Sequence, residues 1–387
     1  MRIDELTPST LMAEAAERAG SDNWGDPGFT EPLALLIGSC RATGRLNALG
    51  WGVLRSVLLR HLRNRLDLQA HLARGPAAAG TPLGAPVVIT GLPRTGTSLL
   101  HGLLAQDPRH RYLRLWEALR PVPSADGTGP DEATRVRHAE VWLERFYAMN
   151  PGFRTVHPLT PRGPEECDAL LQNAFASQHF DDMFDAEKYS RWFYGASLDS
   201  EYAYYALQLR LLGEGRSDDR RWVLKSPGHI AHLDSLLRAL PDARVVHCHR
   251  DPAQAVPSYA SLILTARRPN TDELSPPRVG EQALRRCVSA LTRALRVRDA
   301  ARDDRFFDVS FAALVADPIR TVSRLYEWLG VALDPPAQAS MRRWLAGHPR
   351  DLHGVHRYEP RDFGLPAGRV RDALAGYVDA FAPLLAR

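Results

Sequence analysis

Along the first seventy-five residues, apolar positions recur with the period of an amphipathic helix. Leu33, Leu35, Leu36 and Ile37, then Leu46, Leu49, Val53, Leu54, Val57, Leu58, Leu62 and Leu66 fall at spacings near three and four. That spacing puts one apolar stripe on each helix, to be buried against a neighbour. Segment 74–86, RGPAAAGTPLGAP, breaks the pattern and reads as a linker. Beyond it come short continuous apolar runs at 87–90 (VVIT), 222–224 (WVL), 244–248 (RVVHC) and 306–309 (FFDV). Each is followed by helical periodicity, which predicts buried strands of a parallel sheet with helices on both faces. Residues 112–220 form a long insertion, predicted mostly helical and rich in aromatic residues such as Trp142, Phe146, Phe175, Phe180, Trp192 and Tyr202. The fold class expected is therefore α/β, with residues 1–80 a helical extension packed on the core and 81–387 the main domain.

Composition narrows the function classes. The chain is 44% hydrophobic and 24% charged, ordinary for a globular protein. No apolar run approaches the roughly 18–20 residues needed to span a bilayer. The N-terminal segment MRIDELTPSTLMAEAAERAG carries acids where a secretion signal carries bases, so a cytoplasmic location is expected. Cys40, Cys167, Cys248 and Cys287 lie far apart without metal-ligand spacing and read as buried or free thiols in a reducing compartment. The net charge of +4 is spread along the chain, which suits a small anionic ligand rather than nucleic acid. Arg41, Arg45, Arg55, Arg60, Arg63 and Arg65 read as a solvated helix face, or alternatively as a weak contact with anionic lipid or an acidic carrier protein. Of the 49 basic residues only Lys188 and Lys225 are lysine, so the placing of Lys225 at a strand end stands out.

Three segments carry chemistry. Gly91-Leu92-Pro93-Arg94-Thr95-Gly96-Thr97-Ser98 joins a strand to a helix. Small residues there free backbone N–H groups, the helix N-terminus adds positive potential, and Arg94, Thr95, Thr97 and Ser98 add donors, which together make an anion cradle. It differs from the ATP-type loop, since Thr97 stands where that loop has lysine. Arg250 follows the strand ending HCH, and Ser258 lies eight residues on in the next helix, so the two can grip one phosphate. Lys225 ends its own strand, at the sheet edge where ligands of open α/β folds bind.

Together these segments resemble the sulfotransferase superfamily that uses 3′-phosphoadenosine 5′-phosphosulfate (PAPS), and within it the bacterial branch written G-L-P-R-T-G-T-[ST]-L-L-H. The likeness runs along nearly the whole chain, through 24–33 (WGDPGFTEPL), 114–123 (RLWEALRPVP), 164–166 (PEE), 314–331 and 353–365 (HGVHRYEPRDFGL). It implies a P-loop-like three-layer fold and transfer of a sulfuryl group to a hydroxyl of a small, lipid-like or glycolipid acceptor. It also implies that Pro93, Arg94, Thr95, Gly96, Thr97 and Ser98 hold the 5′-phosphosulfate and that Arg250 and Ser258 hold the 3′-phosphate. Phe311 would lie beside the adenine, and Lys225 and Arg94 near the transferred group. The base is sought first in Glu117, then His229, then His157, with Glu166 behind them. No clustered Asp/His set is visible, so no metal is expected. A kinase-like enzyme with a variant phosphate loop and a non-catalytic PAPS-binding module are the competing readings.

Overall fold

The computed structural model describes residues 5–75, 82–122, 131–213, 219–301, 304–349, 352 and 357–386. Residues 76–81 of the linker expected at 74–86 and the first residues of 353–365 lie outside them. Helices α1 (Pro8–Ala19), α2 (Thr30–Thr43) and α3 (Ala48–Leu72) precede strand β1 (Val87–Gly91) and helix α4 (Thr97–Leu104). Strand β2 (His110–Arg111) leads into the helical insertion: α5 (Leu115–Leu119), α6 (Glu132–Met149), α7 (Phe153–Val156), α8 (Asp168–Leu171), α9 (Gln178–Phe184), α10 (Glu187–Gly195) and α11 (Asp199–Gly213). Then follow β3 (Arg221–Lys225), α12 (Leu233–Ala239), β4 (Arg244–His249), α13 (Pro252–Arg267), α14 (Pro276–Ala301) and β5 (Phe306–Ser310). The described chain closes with α15 (Phe311–Ala316), α16 (Pro318–Trp328), α17 (Pro335–Gly347) and three short helices, α18 (Ala367–Ala373), α19 (Ala375–Ala380) and α20 (Ala382–Leu385).

The five strands form one parallel sheet in the order β2-β3-β1-β4-β5. All of β1 is buried because both edges and both faces are covered, which is why its sequence is a continuous apolar run rather than an alternating one. Its side chains still divide by face: Val87 and Ile89 join Val223, Val246 and Val309 over α4 and α16, while Val88 joins Leu224 and Val245 in the larger core shared with the N-terminal helices. Strand β2, two residues at the sheet edge, was not expected, since two residues cannot show a period. From β1 the chain moves to one side of the sheet and from β4 to the other. The crevice at their carboxyl ends is thus a topological switch point, where open α/β sheets bind ligands.

The six N-terminal arginines each have a partner inside the chain, and Arg41 and Arg63 remain exposed to solvent. Arg41 donates to the Leu6 carbonyl at 3.0 Å, Arg55 pairs with Glu14, and Arg63 with Asp67 at 2.7 Å. Arg65 donates to the carbonyls of Trp24 at 2.9 Å and Asp26 at 2.6 Å, Arg45 reaches Glu273 at 3.4 Å, and Arg60 lies 5.6 Å from the Trp142 ring. These pairs tie the extension to itself and to the domain. Among the described residues no helix is long and apolar enough to cross a membrane.

Candidate active site

The loop after β1 is shaped by two glycines. Gly91 has φ +144°, and a Cβ there would lie 2.4 Å from the Cys248 carbonyl oxygen on β4, so only glycine lets the two strands run side by side to this point. Gly96 has φ +92°, and a Cβ there would meet Phe311 at 3.0 Å. Between them Arg94 sits at φ +74°, a left-handed conformation that costs energy for a residue with a side chain. Thr95 donates from Oγ1 to the Leu92 carbonyl at 2.7 Å and closes the turn. No side chain caps the N-terminus of α4, and Ser98 in its first turn is exposed, so the helix presents its positive end to an open cradle.

Arg94, Arg250 and Ser258 are joined directly. Arg94 donates from Nε to Ser258 Oγ at 3.2 Å, and Arg250 donates from Nη1 to the Arg94 carbonyl at 2.9 Å. The Arg250 guanidinium also lies 4.2 Å from the centroid of the Phe311 ring and is held by Gln254 Oε1 at 3.2 Å. A cation, a hydroxyl and a ring face thus meet at one end of the loop. The other guanidinium arm of Arg94 donates to the Val156 carbonyl at the end of α7, at 2.8 Å.

At the loop's other end Lys225 is 2% exposed, donates to Ser98 Oγ at 3.4 Å and forms an ion pair with Glu166 Oε1. The second oxygen of Glu166 faces His179 Nε2 at 3.3 Å. Burial alone would raise Glu166, but the Lys225 ammonium together with the His179 hydrogen bond and the charges of His157 and His179 outweighs it and holds the carboxyl well below its ordinary range. Burial would likewise depress His179, yet the carboxylates of Asp168 and Glu166 hold its imidazole up to about 10. Glu165 has the opposite fate: burial, with Glu166 adding to it, pushes its carboxyl up to about 7. Burial lowers His157 to about 4, and Lys225 and Arg94 act in the same sense. Asp168 accepts from Ser226 and from Ser177 Oγ at 2.9 Å, pinning the turn after β3 that fixes Lys225.

The two residues placed first as bases are each held by other partners. Glu117, 1% exposed, accepts from the Arg114 backbone N–H at 3.0 Å at the start of α5. His229 is fully buried, hydrogen-bonded through Nδ1 to Tyr202 Oη at 2.8 Å, and burial lowers it to about 4. Lys225 meets neither of them; its side-chain partners are Ser98 and Glu166. His179 was missed because no motif surrounds it. Its signal was only a histidine next to an N-cap serine, Ser177, in an apolar stretch.

The sequence showed no clustered Asp/His set, but folding brings two together: Glu166, Asp168 and His179, and His247, His249 and Asp308. Each is assembled from separated segments. Lys225 already neutralises the first, and Arg298 grips Asp308 at 2.8 and 2.9 Å in the second.

Comparison with known proteins follows the same lines. Residues 86–335 match the sulfotransferase family. The chain is 26% identical over 288 residues to omega-hydroxy-beta-dihydromenaquinone-9 sulfotransferase Stf3 of Mycobacterium bovis and of Mycobacterium tuberculosis, covering 68% of this chain and 67% of the relative. The crystal structure of sulfotransferase STF1 from M. tuberculosis H37Rv is similar with a TM-score of 0.85 at 28% identity, over 97% of this chain and all of that one. Sulfotransferase STF9 from Mycobacterium avium is similar with a TM-score of 0.86 at 27% identity, over 97% and 96%.

Proposed function

The chain belongs to the sulfotransferase family, and we propose that it transfers a sulfuryl group from PAPS to a hydroxyl of a lipid-like alcohol. The observation that carries this reading is Lys225, whose ammonium touches both Ser98 of the anion cradle and the Glu166 carboxylate. The residues present fit the donor. An uncapped helix end with Thr95, Thr97 and Ser98 suits a phosphosulfate, and Arg250 with Ser258 suits a second phosphate. Phe311 offers a ring face for a base, and Pro93 shapes the entry to the loop. PAPS supplies the sulfuryl group and departs as the 3′,5′-bisphosphate: the acceptor oxygen bonds to sulfur as the bond from sulfur to the phosphate oxygen breaks.

Within this reading Arg94 and Lys225 stabilise charge that grows on the oxygens in the transition state. As Lys225 turns from Glu166 toward that charge, Glu166 loses one of the two cations that suppress its basicity and, still ionised beside His179, takes the acceptor's proton. Glu117 and His229 then serve as positioning groups, Glu117 at the start of α5 and His229 behind the turn that carries Lys225. Support for a lipid-like acceptor comes from the aromatic insertion and from the quinone-derived lipid named for the mycobacterial relatives. The test is incubation of the purified chain and a lipid extract with radiolabelled PAPS. Label passing into an organic-phase product supports the reading, and label confined to water-soluble products overturns the lipid assignment.

A further inference from the structure

Helix α6 has two unlike sides. Val136, Ala139, Leu143 and Tyr147 are buried. Val141 and Met149, at 44% and 42% exposure, are among the most exposed large apolar residues described. Winding at about 100° per residue, the helix places His138, Trp142, Arg145, Phe146 and Met149 on one flank of Val141. Glu140 and Glu144 fall on the other flank. The first flank is therefore apolar, aromatic and basic, with its acids segregated away.

Its aromatic part is ordered yet outside the main cores. Trp142 and Phe146 stack at 5.2 Å with 8° between their planes, and Phe153 of α7 meets Phe146 edge-on at 5.0 Å. All three are only partly buried, in a satellite cluster around Leu115, Leu143 and Tyr147. The hairpin also reaches the chemistry: the carbonyl of Val156, where α7 ends, accepts from Arg94 at 2.8 Å, and His157 comes next.

We propose that this flank of α6, continued by α7, docks on a bilayer surface carrying anionic headgroups, with Val141 and Met149 entering the interface and Arg145 pairing with headgroup charge. The proposal rests on the lipid-acceptor reading above. Partly exposed tryptophan, exposed aliphatic side chains and arginine on an acid-free flank are the chemistry of an interfacial helix. Val156 then links the docked hairpin to the cradle through Arg94, so a lipid alcohol leaving the bilayer along α7 arrives beside the sulfuryl donor.

The full chain is to be sedimented with vesicles of phosphatidylcholine and phosphatidylglycerol, and with vesicles of phosphatidylcholine alone. Binding is expected to the anionic vesicles and to weaken with salt. Val141→Glu combined with Met149→Glu should lower the bound fraction by roughly tenfold, and Arg145→Glu should lower it on anionic vesicles. Val331→Glu, at another exposed apolar position, should leave it unchanged. Absence of wild-type binding to anionic vesicles, or a double variant that binds as well as wild type, overturns the proposal. Thermal stabilisation by 3′-phosphoadenosine 5′-phosphate, measured on the same proteins, reports the donor site separately. Its presence in a chain that ignores vesicles sinks the docking surface alone, and its absence sinks the donor reading.

Discussion

The backbone carbonyl of Arg94 accepts a hydrogen bond from Nη1 of Arg250 at 2.9 Å, so one arginine braces the left-handed turn of the other. The strain at Arg94, φ +74°, is offset by a charge-assisted bond, and its guanidinium is held between Ser258 and Val156. The same cation assigned to a 3′-phosphate therefore also preorganises the loop assigned to the 5′-phosphosulfate.

Arg250→Ala should weaken binding of the 3′-phosphorylated nucleotide. The 3′-phosphorylated nucleotide should raise the melting temperature of the wild type far more than ATP at equal concentration, because ATP offers Arg250 and Ser258 no 3′-phosphate. The variant should lose most of that shift. Equal stabilisation by the two nucleotides in the wild type would count against a PAPS site and for the kinase-like alternative.

The base assignment predicts an order among three variants. Glu166→Gln should cut turnover roughly 10²–10⁴-fold, the usual weight of a general base. Glu117→Gln keeps a side-chain oxygen to accept the Arg114 N–H, and His229→Asn keeps a polar partner near Tyr202, so each should cost much less. Lys225→Ala should be as damaging as Glu166→Gln in kcat while leaving KM for the acceptor nearly unchanged, because its charge acts on the transition state. A dead Glu117→Gln beside an active Glu166→Gln would return the role to α5.

These assignments differ in how legible they were. The strands were readable because parallel strands buried on both faces must be continuous apolar runs, and the loop because Gly91 and Gly96 bracket an arginine and hydroxyls between strand and helix. Lys225 was visible through its rarity in an arginine-rich chain. His179 and Asp168 were not, since what brings them beside Glu166 is convergence: α8, α9 and the turn after β3 meet around it only once the sheet has formed.

Glu165 should make its presence felt in stability against pH. Its native carboxyl holds its proton up to about 7, whereas an unfolded glutamate releases it near 4.5. Between those values the native state binds more protons than the unfolded state, so this group's contribution falls as pH rises. Glu165→Gln removes the dependence. Denaturant unfolding should show the variant gaining on wild type between pH 5 and pH 8, by an amount on the order of 2 kcal/mol. A stability difference that stays flat across that interval would mean Glu165 is ionised throughout.

The pair of Glu166 with His179 has two limits of opposite sign. The native pKa of His179 is raised, from an ordinary 6.5 to about 10, so its stabilisation is full below about 6.5 and is lost as pH climbs toward 10. The native pKa of Glu166 is depressed from 4.5, so its share is full above that value and is lost as pH falls below it. Both are fully present only between about 4.5 and 6.5. His179→Gln keeps a hydrogen-bond donor for Glu166 but no charge. The stability gap between wild type and variant should therefore be widest near pH 6 and shrink steadily by pH 9. Nuclear magnetic resonance titration of the imidazole gives the direct reading. An apparent pKa near 6.5 would show that the carboxylates of Glu166 and Asp168 do not hold His179 charged, and the cluster would then lack the second cation that keeps Glu166 ionised when Lys225 turns away.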